Sequence, residues 1–201
     1  MPTSSGPVER HPFEPFLPEG ARVLFLGSFP PQPKRWCMEF YYPNFINDFW
    51  RIMGLLFFGD KDRFVDVPAK KFKLQEIKDF CSDKGIALYD TATSVRRLMD
   101  NASDKFLEVV EPTDVVTLLR RIPGCEAVVT TGDKATQTLC GIFNIPAPPV
   151  GEYSSFDYDG HTLRLYRMPS SSRAYPLPLQ RKADAYRRLF EDIDTPTISW
   201  Q

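Results

Sequence analysis

Three short apolar runs constrain the fold of this chain most: Val23-Leu24-Phe25-Leu26, Ile86-Ala87-Leu88-Tyr89 and Ala127-Val128-Val129-Thr130. Each is too short for a core helix and lacks polar alternation, so each reads as a strand buried on both faces. Helical periods separate them. Residues 48–56 set Phe49, Ile52, Met53 and Leu56 on one face, at i, i+3, i+4 and i+7. Residues 69–84 turn Leu74, Ile77 and Cys81 inward and stop at Gly85, a glycine suited to ending a helix. Pro112-Thr113-Asp114 opens a helix striped by Val115, Leu118, Leu119 and Ile122, which Pro123-Gly124 closes. Another helix is expected over 134–143, and a last one over 179–193 burying Ala183, Tyr186, Phe190 and Ile193. Asp159-Gly160 between residues 153–158 and 162–167 marks a hairpin whose second arm is the fourth strand of the sheet. Residues 90–111 are mostly polar and predict a loop with one helical turn at most.

Strands alternating with helices predict an α/β protein, a three-layer α/β/α sandwich around a central, mostly parallel four-stranded sheet. Residues 1–20 are Pro-rich and aperiodic, an extended N-terminal arm, and residues 21–201 form a single domain without repeat or linker. In such sheets ligands bind beyond the carboxyl ends of the strands. Here those ends are residues 27–31, 90–91, 130–132 and 168–173, which should converge on one rim. The first opens a long loop rich in aromatic residues, too aromatic for disorder and too long for packing alone.

Composition excludes several function classes. With 42% hydrophobic residues a sizeable core can form, while a net charge of −1 gives no global attraction to polyanions. A nucleic acid would therefore need a local basic patch. Cys37, Cys81, Cys125 and Cys140 are far apart with no CxxC pair, which argues against zinc or iron–sulfur and fits reduced thiols in the cytoplasm. Neither a signal peptide nor a run of 18 apolar residues is present, so neither secretion nor membrane insertion is expected. His11 and His161 both lie outside the rim loops, so the rim is expected to hold no His, no Cys pair and no carboxylate dyad. That excludes serine-hydrolase chemistry, and the chain has neither GxxxxGK[ST] nor GxGxxG. The rim does offer Ser28, Phe40, Tyr41, Tyr42, Asn44, Asn47 and the run Ser170-Ser171-Ser172-Arg173. Aromatic faces stack a base, amides read its edge, and hydroxyls beside an Arg hold a phosphate.

Three of these segments, in this order, resemble the uracil-DNA glycosylase superfamily, nearest the mismatch-specific uracil/thymine and hypoxanthine-DNA glycosylases. They are Gly27-Ser28-Phe29-Pro30, Asn47-x-Phe49-Trp50 and Met168-Pro169-Ser170-Ser171-Ser172-Arg173. The resemblance extends more weakly to residues 85–90 and to Glu111-Pro112-x-Asp114. It implies a monomeric enzyme of base excision repair, without cofactor or metal, acting on double-stranded DNA. Such an enzyme flips a deaminated or mismatched base, uracil or hypoxanthine, and hydrolyses its N-glycosidic bond. Carried over, Asn47 and Ser28 take the catalytic positions, as the hypoxanthine subgroup also has Ser in the first motif and its important Asn in the later one. The Phe29 backbone N–H would donate to a base carbonyl, Phe40, Tyr41 or Tyr42 would stack on the base, and Asn44 belongs to the base-binding set. Pro169, Ser170, Ser171 and Ser172 would enter the minor groove, with Arg173 as the wedge that replaces the flipped base.

Plainer readings stand beside these. Asn47 suits a helix cap, Asp48 a first-turn partner of the helix dipole, and Asp90 a cap of the following turn. Tyr41 and Tyr42 would equally roof the core, Ser170 to Ser172 form an ordinary turn, and Arg96-Arg97 and Arg187-Arg188 a solvated face. Ser28 has no evident base and Pro31 no backbone donor. Together these motivate a rival, a non-catalytic module that binds DNA or a nucleotide. The near-neutral charge prompts a third reading, an enzyme of small nucleotides.

Overall fold

The structure is a computed structural model that describes residues 6–99 and 103–195. In chain order its elements are β1 (Val8–Arg10), β2 (Val23–Gly27), α1 (Phe49–Phe58), β3 (Val65–Asp66), β4 (Lys71–Phe72), α2 (Leu74–Lys84), β5 (Ile86–Asp90) and β6 (Ala92–Arg97). There follow β7 (Leu107–Pro112), α3 (Val115–Arg121), β8 (Ala127–Thr131), α4 (Asp133–Phe143), β9 (Tyr153–Tyr158), β10 (His161–Met168) and α5 (Leu179–Asp192).

The central sheet has the order β5-β2-β8-β10-β9. Its first four strands run parallel and β9 is antiparallel to β10. Every residue of β2, β5 and β8 is buried, which is why their sequences show no alternation. Helices flank the sheet to give the three-layer sandwich. Phe25 of β2 stacks 6.2 Å from Tyr186 of α5 and meets Phe49 of α1 edge-on at 5.3 Å. This triad clamps the first strand to the first and last helices. Among the described residues no helix is long and apolar enough to cross a membrane.

The expected four-stranded sheet has five strands, because both arms of the Asp159-Gly160 hairpin join it. Residues 69–73 are not helical. Lys71–Phe72 pairs with Val65–Asp66, and Lys70 takes a left-handed φ of 51° at the turn, so the helix begins at Leu74. Residues 90–111, expected to be loop, carry β6 and β7, and β1 of the N-terminal arm pairs with β6. Two irregularities of register between Ala92 and Val95 break the period of two. The face they bury holds only a small cluster around Phe29, Ala92, Val95 and Leu107. Neither strand therefore carries a sequence signal.

The arm lies along the outside of β5. Phe16 and Leu88 exchange backbone hydrogen bonds of 3.0 and 2.9 Å, and the His11 amide donates to the Thr93 carbonyl at 2.8 Å. A bare edge of the central sheet is thereby covered, and His11 is brought to the carboxyl end of β5.

Candidate active site

The parallel pairing of β2 with β5 sets Gly27 opposite Asp90, with the Thr91 amide donating to the Gly27 carbonyl at 2.8 Å. A cavity of about 950 Å³ opens there, within the size range of ligand sites. Its walls include Ser28, Tyr42, Asn47, Asp90, Asp104 and the serine loop after β10.

The long loop after β2 is tied down at several points. Trp36 Nε1 donates to the Pro31 carbonyl at 2.6 Å and the Cys37 amide to the Pro43 carbonyl at 2.9 Å. Tyr42 has a left-handed φ of 52°, which aims its ring into the site. There it stacks at 3.8 Å and 8° on Phe49, and its hydroxyl shares a 2.9 Å hydrogen bond with Thr131. Burial pushes the Tyr42 phenol well above its ordinary range. Tyr41 also lines the cavity, but it is 2% exposed and its hydroxyl donates to the Glu14 carbonyl at 2.6 Å. Phe40, expected as a stacking residue, does not reach the cavity. It is turned into the core against Phe16 and Trp50, because the alternation Phe40-Tyr41-Tyr42 can present only part of that run to one side.

The serine loop and the start of α1 are joined directly. Asn47 and Ser172 form an antiparallel bridge, and the Asp48 amide donates to the Ser171 carbonyl at 2.9 Å. Asn47 Oδ1 accepts from the Phe49 amide at 2.9 Å, so the side chain caps the first turn of α1. Asn44 Oδ1 accepts from the Ile46 amide at 3.2 Å and holds the turn before it. Asp48 does more than sit in the field of the helix dipole. Its Oδ1 pairs with Arg173 Nη2 at 3.1 Å and its Oδ2 with Lys182 Nζ at 3.5 Å. Pro169, Ser170, Ser171, Ser172 and Arg173 all line the cavity.

Three residues stand at the site to which no motif or period of the chain pointed. His11 Nε2 lies 2.7 Å from Asp90 Oδ2, so a His does stand at the rim. Asp104, from a single 3₁₀ turn at Asp104–Phe106, lines the cavity with Asp90 and Asp133, so three carboxylates face it. The Ser28 hydroxyl hydrogen-bonds the Asp104 carboxyl. Arg97, read as part of a solvated face, has a side chain only 7% exposed. It pairs with Glu9, donates to the Pro30 carbonyl at 2.5 Å and lies over the Phe29 ring. The Phe29 side chain is therefore a packing anchor, held between His11 and Arg97.

Burial raises the Asp104 carboxyl above the ordinary carboxylate range, and the Asp90 charge adds to this against the opposing effects of the Ser28 hydrogen bond and Arg97. A raised folded-state pKa means that the folded chain binds this proton more tightly than the unfolded one. The stabilisation is then complete at low pH and is lost as pH rises from about 4 through the raised value. Asp104→Asn removes that dependence, so urea melts should show the variant gaining on the wild type between pH 3 and pH 7. An equal difference at both pH values would show that Asp104 ionises without cost.

No family model and no curated protein sequence matches this chain. A solved structure does: the solution NMR structure of a candidate uracil DNA glycosylase from Methanosarcina acetivorans. It is 20% identical, with a TM-score of 0.61 over 93% of this chain and 99% of that one. At that identity the likeness is one of architecture, and this chain has the α/β/α fold of that structure.

Proposed function

We propose that the protein is a DNA glycosylase that flips a deaminated base, uracil or hypoxanthine, into the cavity beyond β2 and hydrolyses its N-glycosidic bond. The observation that carries this reading is the fixed orientation of Asn47. A backbone N–H can only donate, so the atom facing the Phe49 amide is Oδ1, and Nδ2 is the group left to point elsewhere. An amide donor recognises a keto oxygen and is mismatched to an amine. Deamination replaces the amine with a keto oxygen, so the same group separates uracil from cytosine and hypoxanthine from adenine.

The rest of the cavity supports this chemistry. The Tyr42 ring, backed by Phe49, is a platform for a planar heterocycle. As the bond to the sugar breaks, the sugar takes on oxocarbenium character and the base leaves as an anion. Fixed donors aimed at that charge, Asn47 Nδ2 and the Phe29 backbone N–H, lower the barrier. The Ser170 to Ser172 hydroxyls suit backbone phosphates. Arg35, Lys105 and Lys134 line the same cavity and supply the local positive charge that the whole chain lacks.

Labelled duplexes carrying one uracil or one hypoxanthine, treated with protein and then alkali, test the reading. Strand scission at the modified base is expected. Binding without scission on either substrate would instead assign the chain to the non-catalytic, DNA-binding alternative. Arg173 gives a second check. Its side chain is half exposed at the mouth while tethered to Asp48, as a wedge that fills the vacated stack would need to be. Arg173→Ala should slow excision from duplex far more than from single strands, which have no stack to fill. Equal loss on both would remove the wedge role.

A further inference from the structure

Glycosidic hydrolysis needs a group to orient the attacking water and take its proton, and neither residue carried over from the motifs is a base. Asn47 is an amide. The Ser28 hydroxyl is engaged with Asp104. We infer that Asp90, held in place by His11 from the N-terminal arm, is the carboxylate that orients and deprotonates the water. This rests on the glycosylase reading and deepens it.

Four observations carry it. Asp90 is the last residue of a buried strand and lines the cavity, yet its side chain is only 10% exposed, so its opening is toward the site. Its Oδ2 faces a His11 ring that is 3% exposed and packed against Phe13, Phe29, Tyr41 and Tyr89. His11 Nδ1 lies 2.9 Å from the Phe13 carbonyl and 3.1 Å from the Phe13 amide, so both ring nitrogens are engaged, and Nε2 donates to the carboxylate, which can only accept. An imidazole held this way orients its partner and takes no proton from water. Finally, Gly27 is needed by the carboxylate and not by its own backbone angles. A Cβ at residue 27 would stand 2.5 Å from Asp90 Oδ1 and 3.8 Å from the Tyr42 hydroxyl. The glycine thus lets the carboxylate lie against the end of β2, beside the aromatic platform proposed for the base. Of the other carboxylates lining the cavity, Asp104 is the weaker candidate because burial favours its protonated form, and Asp133 because it is exposed and paired with Arg167 at 2.6 Å.

The step balances as follows. A lone pair of the water oxygen bonds to the sugar C1′ as the C1′–N bond breaks, and the bonding pair leaves with the base. One water proton passes to Asp90, and the base anion takes up one proton from the site or from solvent. The products are the free base and the hemiacetal of an abasic site, with no co-reactant. His11 is a positioning residue throughout.

The test uses the full chain and a uracil or hypoxanthine duplex, with affinity measured on the same duplex bearing a 2′-fluoro sugar that resists hydrolysis. Asp90→Asn keeps an acceptor for His11 and so the fold, and should lower kcat about 10³-fold with affinity unchanged. Asp90→Ala should fall similarly and regain at least about tenfold on addition of formate, which a purely structural aspartate would not show. His11→Ala should lower kcat about tenfold or more at unchanged KM, with partial recovery in imidazole. Asp90→Asn within about threefold of wild type overturns the assignment while leaving the glycosylase reading intact. Loss without formate or imidazole recovery assigns the pair to the fold and also overturns it. A wild-type chain that excises neither base overturns both readings together.

Discussion

Asn47→Asp should leave the protein at full stability and cut base excision about 10²-fold or more, the usual effect of removing one donor aimed at developing negative charge. The substitution separates two roles that alanine would confound. The aspartate still places an oxygen where Oδ1 accepts from the Phe49 amide, so the first turn of α1 keeps its cap. It also puts a negative charge at the start of a helix, where the dipole welcomes one. What it removes is the Nδ2 donor, replaced by an acceptor that repels both the keto oxygen and the departing anion. Thermal melts and single-turnover excision on the same preparation decide the matter. An unchanged melt with slowed excision assigns recognition to Asn47. An unchanged rate reduces it to a cap, and with it goes the argument that the site selects deaminated bases. Asn47→Ala then serves as the check on magnitude. It should lose the same activity and about 1 kcal/mol of stability besides.

What could be read from the sequence follows burial. Val23–Gly27, Ile86–Asp90 and Ala127–Thr131 are buried along their whole length, so their apolar runs announce a parallel sheet directly. Tyr153–Tyr158 at the sheet edge leaves all but Phe156 at least partly accessible. Its place in the sheet is therefore visible only through the turn that follows it. The β6–β7 pair was illegible because irregular register destroys the alternation on which a strand reading depends. The site divides the same way. Ser28, Asn47 and Ser170 to Ser172 flank regular elements whose ends must meet, and they do line one cavity. His11 lies 79 residues from Asp90 in an aperiodic arm, and Asp104 rides on a single 3₁₀ turn. No period or motif links either to the rim. Their positions follow from strand pairing, β1 on β6 and β6 on β7, which had to be known first.

Asp48→Ala should destabilise the protein by about 3–5 kcal/mol, the usual cost of stranding one member of a buried ion pair. Lys182 is 1% exposed, and its Nζ has Asp48 Oδ2 at 3.5 Å and the Ser172 carbonyl at 2.8 Å. Without the carboxylate, a full positive charge would remain buried with one neutral acceptor. For a chain of this size the melting temperature should fall by about 6–20 °C. Arg173, half exposed, can turn to water and adds little to that loss. The control is the double change Asp48→Leu with Lys182→Met, which removes both charges and should recover most of the stability, since apolar replacements of a buried pair are often neutral or better. Recovered stability need not bring recovered activity. The pair, with the Asp48 amide on the Ser171 carbonyl, anchors the serine loop to the start of α1. The double variant should therefore melt near the wild type yet bind duplex more weakly, because Ser170 to Ser172 would lose the fixed position from which they meet phosphate. A double variant equal to the wild type in both respects would show that the backbone hydrogen bonds alone hold that loop, and that the buried charges serve neither stability nor the site.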